Sequence, residues 1–158
     1  MSAPYEAGGP PSGAPGGKTS LGLDSNVGAM LCYIGNFLCC LGIVLSVVFL
    51  ITEKENRFVK FHALQSLFLF AVYAALAIVG EILGLVLRIA VGVVGLLFRM
   101  ALSTADLGLI AVFLVFGLRI VVLLVFLAIW IFAGMKAYGG QWYKLPVIGN
   151  FAWNTVNK

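Results

Sequence analysis

Residues 27–51 read VGAMLCYIGNFLCCLGIVLSVVFLI and hold no charged side chain. The run is about 25 residues long, against the roughly 20 helical residues that a ~30 Å hydrocarbon core requires. It begins behind Asp24-Ser25-Asn26, residue types that cap helix N-termini, and stops at Thr52-Glu53-Lys54-Glu55-Asn56-Arg57. One membrane-spanning helix is the expectation. Asn36 and Ser46 are tolerable inside it. Gly28, Gly35 and Gly42 recur every seven residues, on one helical face that permits close helix contact. Cys32, Cys39 and Cys40 lie within the run without the spacing of a zinc site or a disulfide framework, and read as small packing residues.

Toward the C-terminus, a second apolar run extends from Phe61 to Leu87, interrupted by Glu81, and predicts a span over 62–87. Its pairs Ala71/Ala75 and Gly80/Gly84 suit helix–helix contact. The stretch that follows reads two ways. Glu81, Arg88 and Arg99 share a helical face, so residues 88–101 form either an amphipathic interfacial segment or, over about 83–101, a fourth span. Ser103, Thr104 and Asp106 open a third run, 107–135, broken only by Arg119. The chain leaves the membrane through Lys136-Ala137-Tyr138-Gly139-Gly140. Trp142, Tyr143 and Trp153 then suit the headgroup level, and Pro146 and Gly149 prevent a continuous helix.

Toward the N-terminus, residues 1–20 are rich in glycine and proline and have almost nothing to bury; they are expected to be disordered and are not a signal peptide. Gly17-Lys18-Thr19 mimics the end of a phosphate-binding loop, but Ser12 stands where that motif requires its first glycine. The composition agrees with a lipid environment: 62% of residues are hydrophobic and 10% charged, against roughly 25% charged in soluble domains. The net charge of +4 is scattered, which gives nucleic-acid binding no support and leaves the lipid bilayer as the natural partner. The expected fold is all-α, an integral membrane helical bundle of three transmembrane helices (four in the alternative) plus an amphipathic segment. A membrane domain covers 21–151, and 152–158 form a C-terminal tail. With three spans, Lys54, Arg57, Lys60, Lys136, Lys144 and Lys158 share a side. The first loop and C-terminus are then cytoplasmic in a multi-pass cell-membrane protein, with the N-terminal tail outside.

The charges inside the runs are the first candidate functional groups, because they are costly in hydrocarbon. Glu81 and Arg119 come out at nearly equal depth when counted from the inner ends of their spans, so an ion pair between them is expected; the competing arrangement sends Arg119 to the outer headgroups and leaves Glu81 to Arg88 or water. His62, Gln65 and Ser66 share one helical face at the start of the second span and are expected to face protein. Glu53, Glu55 and His62 have no spacing that would fix a metal. No motif supplies a catalytic set, and Ser46 or Ser66 would have to share the single histidine without an orienting acid. The reading assigns no catalytic residue, cofactor or metal.

Three segments together carry a resemblance: Leu21-Gly22-Leu23-Asp24, the block Glu53 to Ser66 (EKENRFVKFHALQS), and Ala137-Tyr138-Gly139-Gly140 with Lys144-Leu145-Pro146-Val147-Ile148-Gly149-Asn150. In this order they resemble a family of small bacterial and archaeal membrane proteins of unknown function. That family is similar to the small multi-spanning membrane subunit of the chloroplast inner-envelope protein-import (Tic) complex. The resemblance covers residues 20–151 and implies a three-helix layout. Its pattern positions are Asn56, Arg57, Phe61, His62, Gln65 and Ser66, a candidate functional surface; Glu81 to Asp106 match nothing in it. The expected function is non-enzymatic, by assembly with itself or a membrane-protein partner. A pore or protein-translocation component is the alternative, and a small-solute transporter a further one.

Overall fold

A computed structural model describes residues 15–37, 41–98 and 104–157. The described residues are helical apart from turns and one extended stretch: α1 (Ser25–Ile34) with a tight turn of helix at Gly35–Phe37, α2 (Leu41–Thr52), α3 (Arg57–Phe98), α4 (Thr104–Tyr138) and α5 (Ile148–Val156). They form two compact units. The first takes in 1–70 and 129–158, the second 71–128. The all-α membrane architecture expected from the sequence stands.

In the first unit, the run 27–51 is not one straight helix. A Cβ on Gly28 would lie 3.2 Å from the Phe49 ring, and one on Gly35 would lie 2.8 Å from Cα of Gly42. In a single helix Gly28 and Phe49 would stand about 31 Å apart. The pairing means that α2 runs back along α1. The heptad glycines therefore oppose one another across a hairpin and do not line one face. The cause is local. Asn36 donates its amide to the carbonyl of Cys32 (3.3 Å), and Ser66 Oγ donates to the same carbonyl (2.6 Å). Two side chains thus take over an acceptor that a continuing helix would have used for its own N–H. At 10 and 12 residues, α1 and α2 are about 15 and 18 Å long, and neither alone spans ~30 Å. Cys39 and Cys40 lie outside the described residues; Cys32 is buried.

The fold-back brings the two ends of the hairpin together. Glu53 Oε1 accepts from the backbone N–H of Ser20 (2.6 Å) and from Ser20 Oγ (2.9 Å). A tail outside and a first loop inside are incompatible with that contact, which corrects the expected placement of the N-terminal tail. Of the tail expected to be disordered, residues 1–14 lie outside the described set. Residues 15–20 are held instead: Ser25 Oγ donates to the carbonyl of Gly17 (2.5 Å), Gly16 N–H to Asn26 Oδ1 (3.2 Å), and Thr19 is buried. At the other end, residues 152–156 belong to α5, with Ala152 buried, and are not a tail.

The ambiguous stretch after Leu87 continues α3 without a break to Phe98, so it does not begin a separate helix; residues 99–101 of it lie outside the described residues. Nothing between Leu87 and Phe98 removes a backbone hydrogen bond, and isolated glycines weaken a helix without ending it. In the second unit α3 and α4 lie antiparallel in a steady register: Tyr73 meets Phe126 (ring centroids 5.3 Å apart), Glu81 meets Arg119, and Gly84 sits under Val115. Gly84 is buried, and a Cβ there would approach Val115 Cγ1 to 3.2 Å, so the glycine permits the close approach.

Candidate functional site

Polar side chains are concentrated in the first unit, where α3 begins. Asn56 caps that helix: its Oδ1 accepts from Val59 N–H (3.2 Å), while its Nδ2 donates to Ser25 Oγ (2.6 Å). Ser25 passes its own hydrogen to Gly17. One side chain thereby links the start of α3, the start of α1 and the approach to it.

One turn further on, His62 and Gln65 are fully buried and Ser66 nearly so, as the shared i, i+3, i+4 face predicts for protein-facing groups. Their partner is Tyr33 of α1. Tyr33 Oη lies 3.1 Å from His62 Nδ1 and 3.0 Å from Gln65 Nε2. His62 Nε2 lies 3.2 Å from the carbonyl of Gln141. Gln65 also donates to the carbonyl of Tyr143 (3.2 Å) and accepts from Leu145 N–H (3.3 Å). Ser66 accepts from Asn36 Nδ2 (3.1 Å) while donating to Cys32. The arrangement ties α1, α3 and the segment 141–145 into one network. Burying these groups in an apolar surround costs several kcal/mol unless each is bonded, by order of magnitude; His62, Gln65, Ser66 and Tyr33 make such bonds, while Asn36 Oδ1 is buried without a partner among the described residues.

Aromatic rings close the network on one side. Trp142 packs against Phe58 and Phe61 (centroids 5.2 and 5.5 Å) and against Trp153 (5.4 Å). Lys144 Nζ stands 3.9 Å from the Trp153 ring centroid, a cation–π contact that holds α5 to the segment before it. Gly149 seats that corner. A Cβ there would fall 2.6 Å from Lys144 Cα and 2.8 Å from Gln65 Oε1, so no larger residue fits.

Of the six pattern positions, Asn56, Phe61, His62, Gln65 and Ser66 are buried together and Arg57 is exposed. The block is thus an internal joint with one outward cation. Sequence reasoning missed Tyr33, which reads as one more apolar residue in its run. It also missed the carbonyls of Gln141 and Tyr143, which no side-chain pattern announces.

In the second unit Arg119 Nη2 donates to Glu81 Oε1, the pair expected from their depths. Arg88 is exposed on α3, and Arg99 lies outside the described residues. Among the described residues no group of three His, Cys, Asp or Glu is placed to hold a metal.

Helices α1 to α4, the first residues of α5 and the network around His62, Gln65 and Ser66 lie within residues 24–152, and over that range the sequence matches the magnetosome magnetite crystal formation protein family. The chain belongs to this family. Among the relatives of the chain, a UPF0132 membrane protein of Methanocaldococcus jannaschii is 36% identical over 138 residues, 86% of this chain and 92% of the relative. A UPF0132 membrane protein of Archaeoglobus fulgidus is 30% identical over 130 residues, 82% of this chain and 93% of the relative. No solved structure matches. The resemblance to a small archaeal and bacterial membrane family therefore holds, and the chain is a membrane protein. The relatives found give no support to the likeness to the chloroplast import subunit.

Proposed function

We propose that this chain is a non-enzymatic membrane protein that acts by assembly within the bilayer. In this reading α3 and α4 cross the membrane, and the α1–α2 hairpin enters and leaves it on one side. That side, with Lys54, Arg57, Lys60, Lys136 and Lys144, is cytoplasmic by the positive-inside bias. The observation that carries the reading is the uncovered apolar length of the helix pair. At 42 and 35 residues, α3 and α4 extend about 63 and 52 Å, roughly twice the thickness of a hydrocarbon core. Only 11% of the most apolar stretch of each is buried. Tilts of up to about 40° do not hide the excess, and a protein partner does.

The engagement of the polar groups supports the same reading. Chemistry on a substrate needs an uncommitted group, whereas His62, Gln65 and Ser66 are each held in internal bonds. The family's name concerns magnetite crystal formation. The translocation and transporter readings require a wet path. The direct bond between Glu81 and Arg119 favours a structural pair over groups that line water.

Cross-linking in native membranes, together with release of a small dye from reconstituted vesicles, tests the proposal. Discrete cross-linked assemblies in sealed vesicles are expected. A monomer without partners, or dye release that depends on the chain, would overturn it.

A further inference from the structure

Arg88 lies on α3 in the second unit, exposed and with no acidic partner among the described residues. Its side chain lies back along the helix: Nη2 is 3.7 Å from where a Cβ on Gly84 would stand. Gly84 sits under Val115, one turn before Arg119 on α4. Arg119 answers Glu81 through Nη2, and its side chain is still 46% exposed. Glu81 and Gly84 are about 5 Å apart along α3, so two guanidiniums and one carboxylate gather at one level of the helix pair. One positive charge is left over. A guanidinium offers five donors, so an anionic oxygen is the group that this level lacks.

At the same level a groove of about 430 Å³ opens between the helices, lined from Tyr73 to Leu87 on α3 and from Leu114 to Val122 on α4. Arg119 is the charged residue in an otherwise largely apolar wall. A Cβ on Gly80 meets nothing within 4 Å, so the groove is open beside the pair. From Gly84 back to Tyr73 it runs about 17 Å, and at that end the Tyr73 ring packs on Phe126. Counted along the helices, about 31 Å separate Lys60 from Glu81 and about 26 Å separate Arg119 from Lys136. Those charge-free lengths match a hydrocarbon core of ~30 Å. Glu81 and Arg119 then stand at the headgroup level of the leaflet away from the two lysines, and the groove descends from them into the hydrocarbon. Half of a ~30 Å core is about 15 Å, the depth of one leaflet and close to the length of the groove. A carboxylate of a protein partner would bring the charge without an apolar chain behind it. A phospholipid brings both, in the order in which the helices present them.

We propose that the groove between α3 and α4 holds one acyl chain of an anionic phospholipid, whose phosphate accepts from Arg88 and Arg119. The proposal rests on α3 and α4 crossing the bilayer and not on assembly, which the cross-linking above reads separately.

The test reconstitutes the full-length chain in nanodiscs of phosphatidylglycerol and phosphatidylcholine in equal amounts. The chain is released in mild detergent, and the lipid that stays bound is read by native mass spectrometry. Phosphatidylcholine carries a compensating cation, so the unaltered chain is expected to retain phosphatidylglycerol over it by about tenfold. Arg88→Gln is an exposed change that leaves the Glu81–Arg119 pair in place, and it is expected to lose that preference. Gly80→Leu fills the groove and alters no charge; it is expected to lose retention of either lipid. Lys54→Gln removes an exposed cation outside the groove and is expected to behave as the unaltered chain, which separates the groove from attraction to any anionic bilayer. Equal retention of the two lipids, or an Arg88→Gln chain that keeps the preference, would overturn the phosphate contact. A Lys54→Gln chain that loses the preference as fully would reduce it to surface charge and overturn the site. A Gly80→Leu chain that retains lipid as the original does would overturn the seat of the acyl chain.

Discussion

Tyr33 Oη donates its hydrogen to Nδ1 of His62 across 3.1 Å. The direction follows from the far side of the ring. Nε2 faces the carbonyl of Gln141, which can only accept, so Nε2 carries the ring hydrogen and Nδ1 is the acceptor. Tyr33 in turn accepts from Gln65. Each hydrogen in this chain has one place to go, so the three side chains specify one packing of α1 against α3.

Replacement of His62 by phenylalanine keeps an aromatic ring, a larger one, and removes both ring bonds, leaving the Tyr33 hydroxyl and the Gln141 carbonyl buried without those partners. Unfolding in a denaturing-detergent titration is expected to become easier by about 2–4 kcal/mol, while the amount inserted in the membrane is retained. Unchanged stability would mean that the network is not formed.

Gln65 makes three bonds to two segments of chain, whereas Cys32's carbonyl keeps Asn36 when Ser66 is lost. Gln65→Leu is therefore expected to cost more than Ser66→Ala, by about 1–2 kcal/mol in the same titration. Gln65→Leu combined with Tyr33→Phe should show a coupling of about 0.5–3 kcal/mol, because the two share a bond. Strict additivity would contradict the shared network.

How much of this was legible in the sequence depended on the kind of signal. Glu81 and Arg119 could be paired by counting residues from the helix ends, since rise per residue is constant. The inward face of His62, Gln65 and Ser66 could be read from helical spacing. The reversal of 27–51 could not be read from hydropathy, which sums the transfer of residues into lipid and does not register direction of travel. The signals that mattered were Gly35 and Asn36, and Asn36 turns the chain only because Ser66, thirty residues away, shares the Cys32 carbonyl. The continuation of α3 past Leu87 was equally hidden. Arg88 and the glycines nearby suit a helix that stops at an interface and one that runs on.

Val147 occupies a backbone conformation that valine rarely adopts. Its φ is 64° and its ψ −60°, and Ile148 N–H donates to the Pro146 carbonyl across 2.7 Å, which makes residues 146–148 a γ-turn of the strained, positive-φ type. The side chain is 82% exposed, so little packing offsets the strain. Val147→Gly is expected to raise stability by about 0.5–1 kcal/mol, the strain relieved less the added freedom of the unfolded chain. Val147→Pro, whose ring holds φ near −65°, is expected to lower stability and loosen α5. Detergent-titration midpoints read both, and a glycine variant less stable than the original would count against the turn.

The fold-back of the first apolar run is tested most directly by side-specific labelling. Cys32, Cys39 and Cys40 are replaced by serine, and single cysteines are introduced at Ser20 and at Lys54, on either side of the run. A membrane-impermeant maleimide is then applied to sealed, oriented vesicles. Because Ser20 and Glu53 are bonded to each other, both positions are expected to label from the same side. Labelling of Ser20→Cys and Lys54→Cys from opposite sides would mean that residues 27–51 cross the bilayer once, and would contradict the hairpin.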